Sequence, residues 1–154
     1  MACAAAPVAL SCTLQAPTQA AAGQPLRLEL SLRNTGARAL DVLVWSTPFE
    51  PAWFTPWVSV WRDGTPLAYA GAKVKRGEPG ADDYLRFDAG QTRRASFELA
   101  PAFDVGLPGH YRVLPRLQLH DVVVAGSAAA APRPRERHAA QALDCNEVVF
   151  KIVP

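Results

Sequence analysis

The sequence predicts an all-β domain, an antiparallel β-sandwich, and three observations carry that expectation. Apolar and polar residues alternate over short stretches. The strictest is Pro25–Arg33, where Leu26, Leu28, Leu30 and Leu32 share one face and Arg27, Glu29, Ser31 and Arg33 the other. Turn signals separate these stretches, the strongest being Asp63-Gly64. No stretch has the apolar spacing of an amphipathic helix.

Taken in order, the elements read as follows. Val8–Gln15 is strand-like, and Pro25–Arg33 is a half-buried strand. Asn34-Thr35-Gly36 is a turn, with Gly36 suited to a positive φ. Leu40, Val42 and Val44 alternate in the next strand. Asp63-Gly64 joins Trp57–Arg62 to Thr65–Tyr69 and pairs Val60 with Leu67 and Val58 with Tyr69, while Pro66 implies a sheet edge. A loop over 70–83 precedes the strands Tyr84–Phe87 and Gln91–Leu99. A strand begins at Gly109 and extends toward Val124, and the last covers Asn146–Val153. The Ala-, Pro- and Arg-rich segment 125–140 is expected to be a mobile loop. These are eight or nine short strands. Tyr111, just after a turn at the start of a late strand, fits the tyrosine corner of immunoglobulin-like sandwiches and selects that class.

A chain of 154 residues is long enough to bury one core of its own. With 49% hydrophobic and 19% charged residues it is not a disordered chain. Its net charge of +2 makes no nucleic-acid footprint, so no nucleic-acid partner is expected. No apolar run approaches the roughly 20 residues that span a bilayer. The start, Met1-Ala2-Cys3-Ala4-Ala5-Ala6-Pro7, lacks a charged first region and a long apolar one. Residues 1–7 are therefore read as a disordered remnant of a removed signal, and 8–154 as one domain of an exported protein, periplasmic or secreted. Cys3 is then a free thiol or a point of lipid attachment. Cys12 and Cys145 lie in strand-like segments at opposite ends of the chain. A disulfide between them would favour an oxidising compartment, and closing so long a loop is worth roughly 4–5 kcal/mol. The other reading is two buried free thiols.

No catalytic constellation stands out, and no enzyme, metal or cofactor is expected. His110, His120 and His138 have no metal spacing, and Glu78, Asp82 and Asp83 match no calcium loop. There is no Gly-x-Ser-x-Gly turn and no phosphate-binding glycine loop. The conspicuous feature is aromatic: Trp45, Trp53, Trp57 and Trp61, joined by Phe49 and Phe54. Trp45 reads as core. If Val58 and Val60 face the core, Trp57 and Trp61 face outward, and an outward aromatic cluster marks a partner site. Lys73, Lys75 and Arg76 follow in the next loop. Trp53, Trp57, Trp61, Lys73, Lys75 and Arg76 are the candidate contact residues.

A set of ordered pieces extends this reading: Trp45-Ser46-Thr47-Pro48-Phe49-Glu50, Val60-Trp61-Arg62-Asp63-Gly64, Tyr69-Ala70-Gly71, Val74-Lys75-Arg76, Pro79, Asp83-Tyr84, Ala89-Gly90 and Gly109-His110-Tyr111. Over residues 24–115, and again near Cys145, the chain resembles the N-terminal, non-catalytic domain of deuterolysin-type (aspzincin) metallopeptidases, the peptidyl-Lys endopeptidase group. The peptidase domain and its zinc motif are not in this sequence, so the resemblance carries no peptidase activity. It implies an immunoglobulin-like prosegment that packs on a peptidase and restrains it. The function expected is therefore an exported protein-binding domain, a protease inhibitor or prosegment-like partner. The alternatives are a carbohydrate-binding or adhesion module that uses the same tryptophans, and a structural envelope (lipo)protein domain.

Overall fold

The computed structural model describes residues 9–127 and 130–154; the expectations for residues 1–7, Cys3 among them, lie outside these. Twelve strands follow one another in the described residues: β1 (Leu10–Gln15), β2 (Gln19–Ala21), β3 (Arg27–Asn34), β4 (Leu40–Leu43), β5 (Val58–Arg62), β6 (Thr65–Pro66), β7 (Tyr84–Phe87), β8 (Thr92–Glu98), β9 (Gly109–Leu119), β10 (Val122–Val124), β11 (Gln141–Asp144) and β12 (Val148–Val153). They form an immunoglobulin-like sandwich, antiparallel except where β2 runs parallel to β12. One sheet runs β1-β3-β8, and β10-β4-β7 continues it beyond Asn34. The opposite sheet runs β2-β12-β9-β5-β6, with β11 on the far half of β9. The strand count exceeds the expected eight or nine because β2 and β11, of three and four residues, are too short to show a period and β10 is split from the strand that begins at Gly109.

Alternation sets which side chains meet. Leu28, Leu30 and Leu32 of β3 face Val58, Val60, Tyr111, Val113, Phe150 and Ile152 of the other sheet in one core. The hairpin has the expected register: Trp61 pairs with Pro66, and the Leu67 amide donates to the Val60 carbonyl at 2.9 Å. It is shorter than expected, ending at Pro66 on the sheet edge. Asp63 and Gly64 have φ of 49° and 79°, the two positive values that a tight turn of this hand requires. The Tyr111 hydroxyl donates to the Leu107 carbonyl at 2.6 Å, closing the tyrosine corner.

Two side-chain amides stitch the sheets. Asn34 is fully buried where β3 passes into β4; its amide donates to the carbonyls of Arg38 and Phe87, and its oxygen accepts the Gly36 amide at 3.0 Å. Gly36 is thus held by an Asx turn and has no positive φ, contrary to expectation. Asn146 acts as a one-residue strand partner for β1. Its oxygen accepts the Leu14 amide at 2.8 Å, and its own amide donates to the Leu14 carbonyl at 2.9 Å. Beside it Cys12 and Cys145 are bridged, their Cα atoms 4.8 Å apart and 133 residues apart in sequence. Reduction should cost about 4–5 kcal/mol and lower the melting midpoint by on the order of 10 °C. Calorimetry with and without reductant checks this; equal midpoints would show that the bridge constrains nothing.

Candidate partner-binding site

The six candidate residues separate into three places. Trp53 and Trp57 are core, only 8% and 5% exposed. The expectation that Trp57 faces outward fails because β5 begins at Val58. Trp57 sits just before it, stacks on Trp53 at 4.5 Å, and meets the edge of Phe97 at 4.6 Å. The Trp53 indole donates to the Glu98 carbonyl at 2.8 Å. Trp45 is buried, as expected. Trp61 does face out from β5, half-buried, with the Arg112 guanidinium 4.0 Å above its ring. Across β5, β9 and β12 its row continues through Arg112 to Val149, which is 67% exposed.

Lys73 and Lys75 lie in the third place. Both are exposed and flank Val74, itself an exposed apolar residue. Arg76 turns inward and anchors this loop. It pairs with Glu50 at 2.7 Å, and its guanidinium lies 5.1 Å from the Trp45 ring centre and 5.2 Å from that of Phe54. Arg76 is thus a positioning residue more than a contact. Two pieces of the recognised pattern, 45–50 and 74–76, meet here.

Around Glu50 lies a polar cluster that the sequence did not reveal. Ser46 has φ of 60°, a left-handed conformation uncommon outside glycine, and its amide donates to Glu50 at 2.7 Å. Its hydroxyl is 3.1 Å from His120 Nε2 and accepts from Thr55 at 2.7 Å. A serine beside a histidine suggests nucleophilic chemistry. Here the Ser46 amide is engaged by Glu50 and its hydroxyl by Thr55, contacts that hold the turn. Next to it Asp121 is fully buried. It accepts two bonds from the Arg133 side chain, one from the Tyr84 hydroxyl at 2.7 Å and one from the Ala139 amide at 3.0 Å. His120 and Asp121 occupy the break between β9 and β10, not a continuous strand. Burial would push the Asp121 carboxyl up, but these donors outweigh it and hold it below its usual range. Burial and the Asp121 bond push the Tyr84 hydroxyl up to about 12. Within the segment expected to be mobile, Arg133 reaches Asp121, and Arg135 reaches Glu78 and the Arg76 carbonyl. No group of His, Cys, Asp and Glu among the described residues is placed to hold a metal.

No family model matches the chain. Over 125 residues, 81% of its length, it is 34% identical to a protein named extracellular protease from Aeromonas hydrophila, and it spans 33% of that relative. Among solved structures, it is similar to a CARDB domain from Pyrococcus furiosus at 12% identity, with a TM-score of 0.37 over 95% of this chain and 89% of that one. It is also similar to a β-glucosidase from Listeria innocua at 13% identity, with a TM-score of 0.35 over 90% and 16%.

His120 makes the cluster sensitive to acid. Burial, then the nearby Arg76 and His138, lower its pKa from 6.5 against the opposing pull of Glu50. The unfolded chain therefore takes up this proton first, and stability is full above pH 6.5 and declines as pH falls below it. Asp121 adds no slope there, because its contribution is lost only below its ordinary value of 3.8. Melting midpoints between pH 8 and 5 should drop on acidification, and His120→Gln should flatten the slope. An unchanged slope in the variant would remove His120 as its source. Asp121→Asn, which leaves Arg133 without its charge partner, should cost about 3–5 kcal/mol by denaturant titration. A loss below about 1 kcal/mol would mean that water satisfies the guanidinium.

Proposed function

We propose that this chain is a non-catalytic, exported domain that binds a secreted peptidase, as an inhibitor or a prosegment-like partner. The observation that carries the reading is the match of most of the chain to one third of an extracellular protease. The Cys12–Cys145 bridge supports an oxidising compartment. No helix is long and apolar enough to cross a membrane among the described residues. The recognised pattern makes a deuterolysin-type metallopeptidase the partner to test first. The Lys73-Val74-Lys75 tip supports contact with it: an exposed apolar residue between two lysines, on a loop that Arg76 anchors to Glu50. Trp61 is the second contact, on the outer face of β5. The sugar-platform alternative has less support, because three indoles are buried and Arg112 occupies one face of the fourth.

The test is inhibition and capture of a secreted deuterolysin-type metallopeptidase by the oxidised domain at micromolar concentration. A Lys73→Glu/Val74→Asp/Lys75→Glu variant should bind at least tenfold more weakly with an unchanged melting midpoint. Equal binding by the variant would move the site elsewhere, and no binding by either protein would discard the peptidase.

A further inference from the structure

The β1-β3-β8 sheet has two edges, and they are treated differently. Hydrogen bonding alternates along an antiparallel pair. The Asn34 amide donates to the Gln91 carbonyl, so bonds between the strands recur at Leu32–Arg93, Leu30–Ala95 and Leu28–Phe97. The intervening residues Thr92, Arg94, Ser96 and Glu98 must then point their N–H and C=O groups away from β3. Trp53 donating to the Glu98 carbonyl agrees with this. On the β1 edge the same alternation turns Leu10, Cys12 and Leu14 outward, and Asn146 satisfies both backbone groups of Leu14. On the β8 edge, by contrast, β7 pairs with β4, and no backbone bond reaches the outward groups of Thr92, Arg94 or Ser96 among the described residues. These three residues are exposed.

A cavity of about 290 Å³ opens at the end of this edge, between β8 and the 47–53 turn, walled by Pro48, Pro51, Trp53, Trp57 and Phe97. Its size suits one side chain, and beside these apolar walls it is lined by Arg27, Glu50 and Glu98. Charge narrows what fits. Arg94 lies on β8, where the Arg93 side chain is turned to the Arg86 carbonyl and the Phe87 ring; Arg27 and Arg33 on the neighbouring strand form no ion pair among the described residues, with Arg27 opposite Glu98. Against them stand Glu29, 3.7 Å from Arg94, and Glu98. In an antiparallel pair of two β8 copies Arg94 meets Glu98 in only one register, whereas an acidic strand would be attracted to it in any.

We infer that the outer edge of β8 takes an extended, acidic segment of a partner protein as an added strand, with one of its apolar side chains in the Trp57–Phe97 cavity. Main-chain bonds to Arg94 and Ser96 supply affinity, while the cavity and the arginines supply selectivity. The Trp53 indole on the Glu98 carbonyl ends the pairing. Glu50 lines this cavity and also anchors Arg76, but the strand pairing uses β8 and not the Lys73–Lys75 tip, so it does not rest on the peptidase reading and either can fail alone.

The test uses the oxidised chain and a capped heptapeptide alternating Glu with Val and Leu. Binding should slow amide exchange at Arg94 and Ser96, while Ala95, already bonded to β3, changes little. The same peptide with Lys for Glu should bind at least tenfold more weakly. Ser96→Pro removes an outward N–H without touching the ladder to β3, and should abolish binding with the fold intact. No protection at Arg94 and Ser96 with millimolar peptide would overturn the inference, as would equal binding of the Lys peptide. A dimer in sedimentation that Ser96→Pro dissolves would overturn it in favour of self-pairing. If Ser96→Pro does not fold, the wild-type exchange data alone decide.

Discussion

The buried carboxylate of Asp121 organises one whole end of this domain. A lone charge at that depth is costly, so it must collect donors, and those it collects come from three separate stretches of chain. Tyr84 comes from the start of β7, Arg133 from the segment after β10, and the Ala139 amide from just before β11. Once these are gathered, Arg135 lies against Glu78 and the Arg76 carbonyl, and His138 lies edge-on to Trp45. The lysine-bearing loop inherits its position from this chain of contacts. Arg76 cannot sit between Trp45 and Phe54 unless Glu50 holds it, and Glu50 also holds the strained Ser46 turn. Satisfying one charge thus shapes a surface several residues away.

Much of the fold was legible because burial on one face leaves a period of two. Leu26 to Leu32, the Asp63-Gly64 turn and Tyr111 each carry a local physical signature, and the structure places each as that signature requires. The disulfide was legible as one of two readings, and proximity of the chain ends decided it. The site was less legible. Alternation assigns a face only inside a strand, and Trp57 lies one residue before β5, where ring stacking on Trp53 overrides the period. Trp61, inside the strand, obeyed it. Asp121 left no signal, since its donors are spread over 84–139 and no spacing links them. A signal was present in the 45–50 and 74–76 pieces, but their meeting through Glu50 and Arg76 is a tertiary fact.

The tryptophans divide structural from surface work. Trp53 and Trp57 join Phe97 and Phe103 in an aromatic floor under the long loops, where large rigid rings fill volume that irregular backbone leaves. Trp61 is the one indole on an outer sheet face, and Arg112, itself paired with Glu147, covers it. A guanidinium over an indole keeps such a ring soluble and can be displaced by a ligand with better contacts.

The side-chain cap that Asn146 places on Leu14 limits how copies of this chain can assemble. A sheet with both margins free can stack margin to opposite margin without end, and such head-to-tail contacts grow fibres. With the Leu14 groups satisfied within the molecule, the β1 margin of this sheet offers less to such growth. A pairing of two copies through the β8 margin would be self-complementary and would stop at two, whereas a strand from another protein would simply occupy that margin.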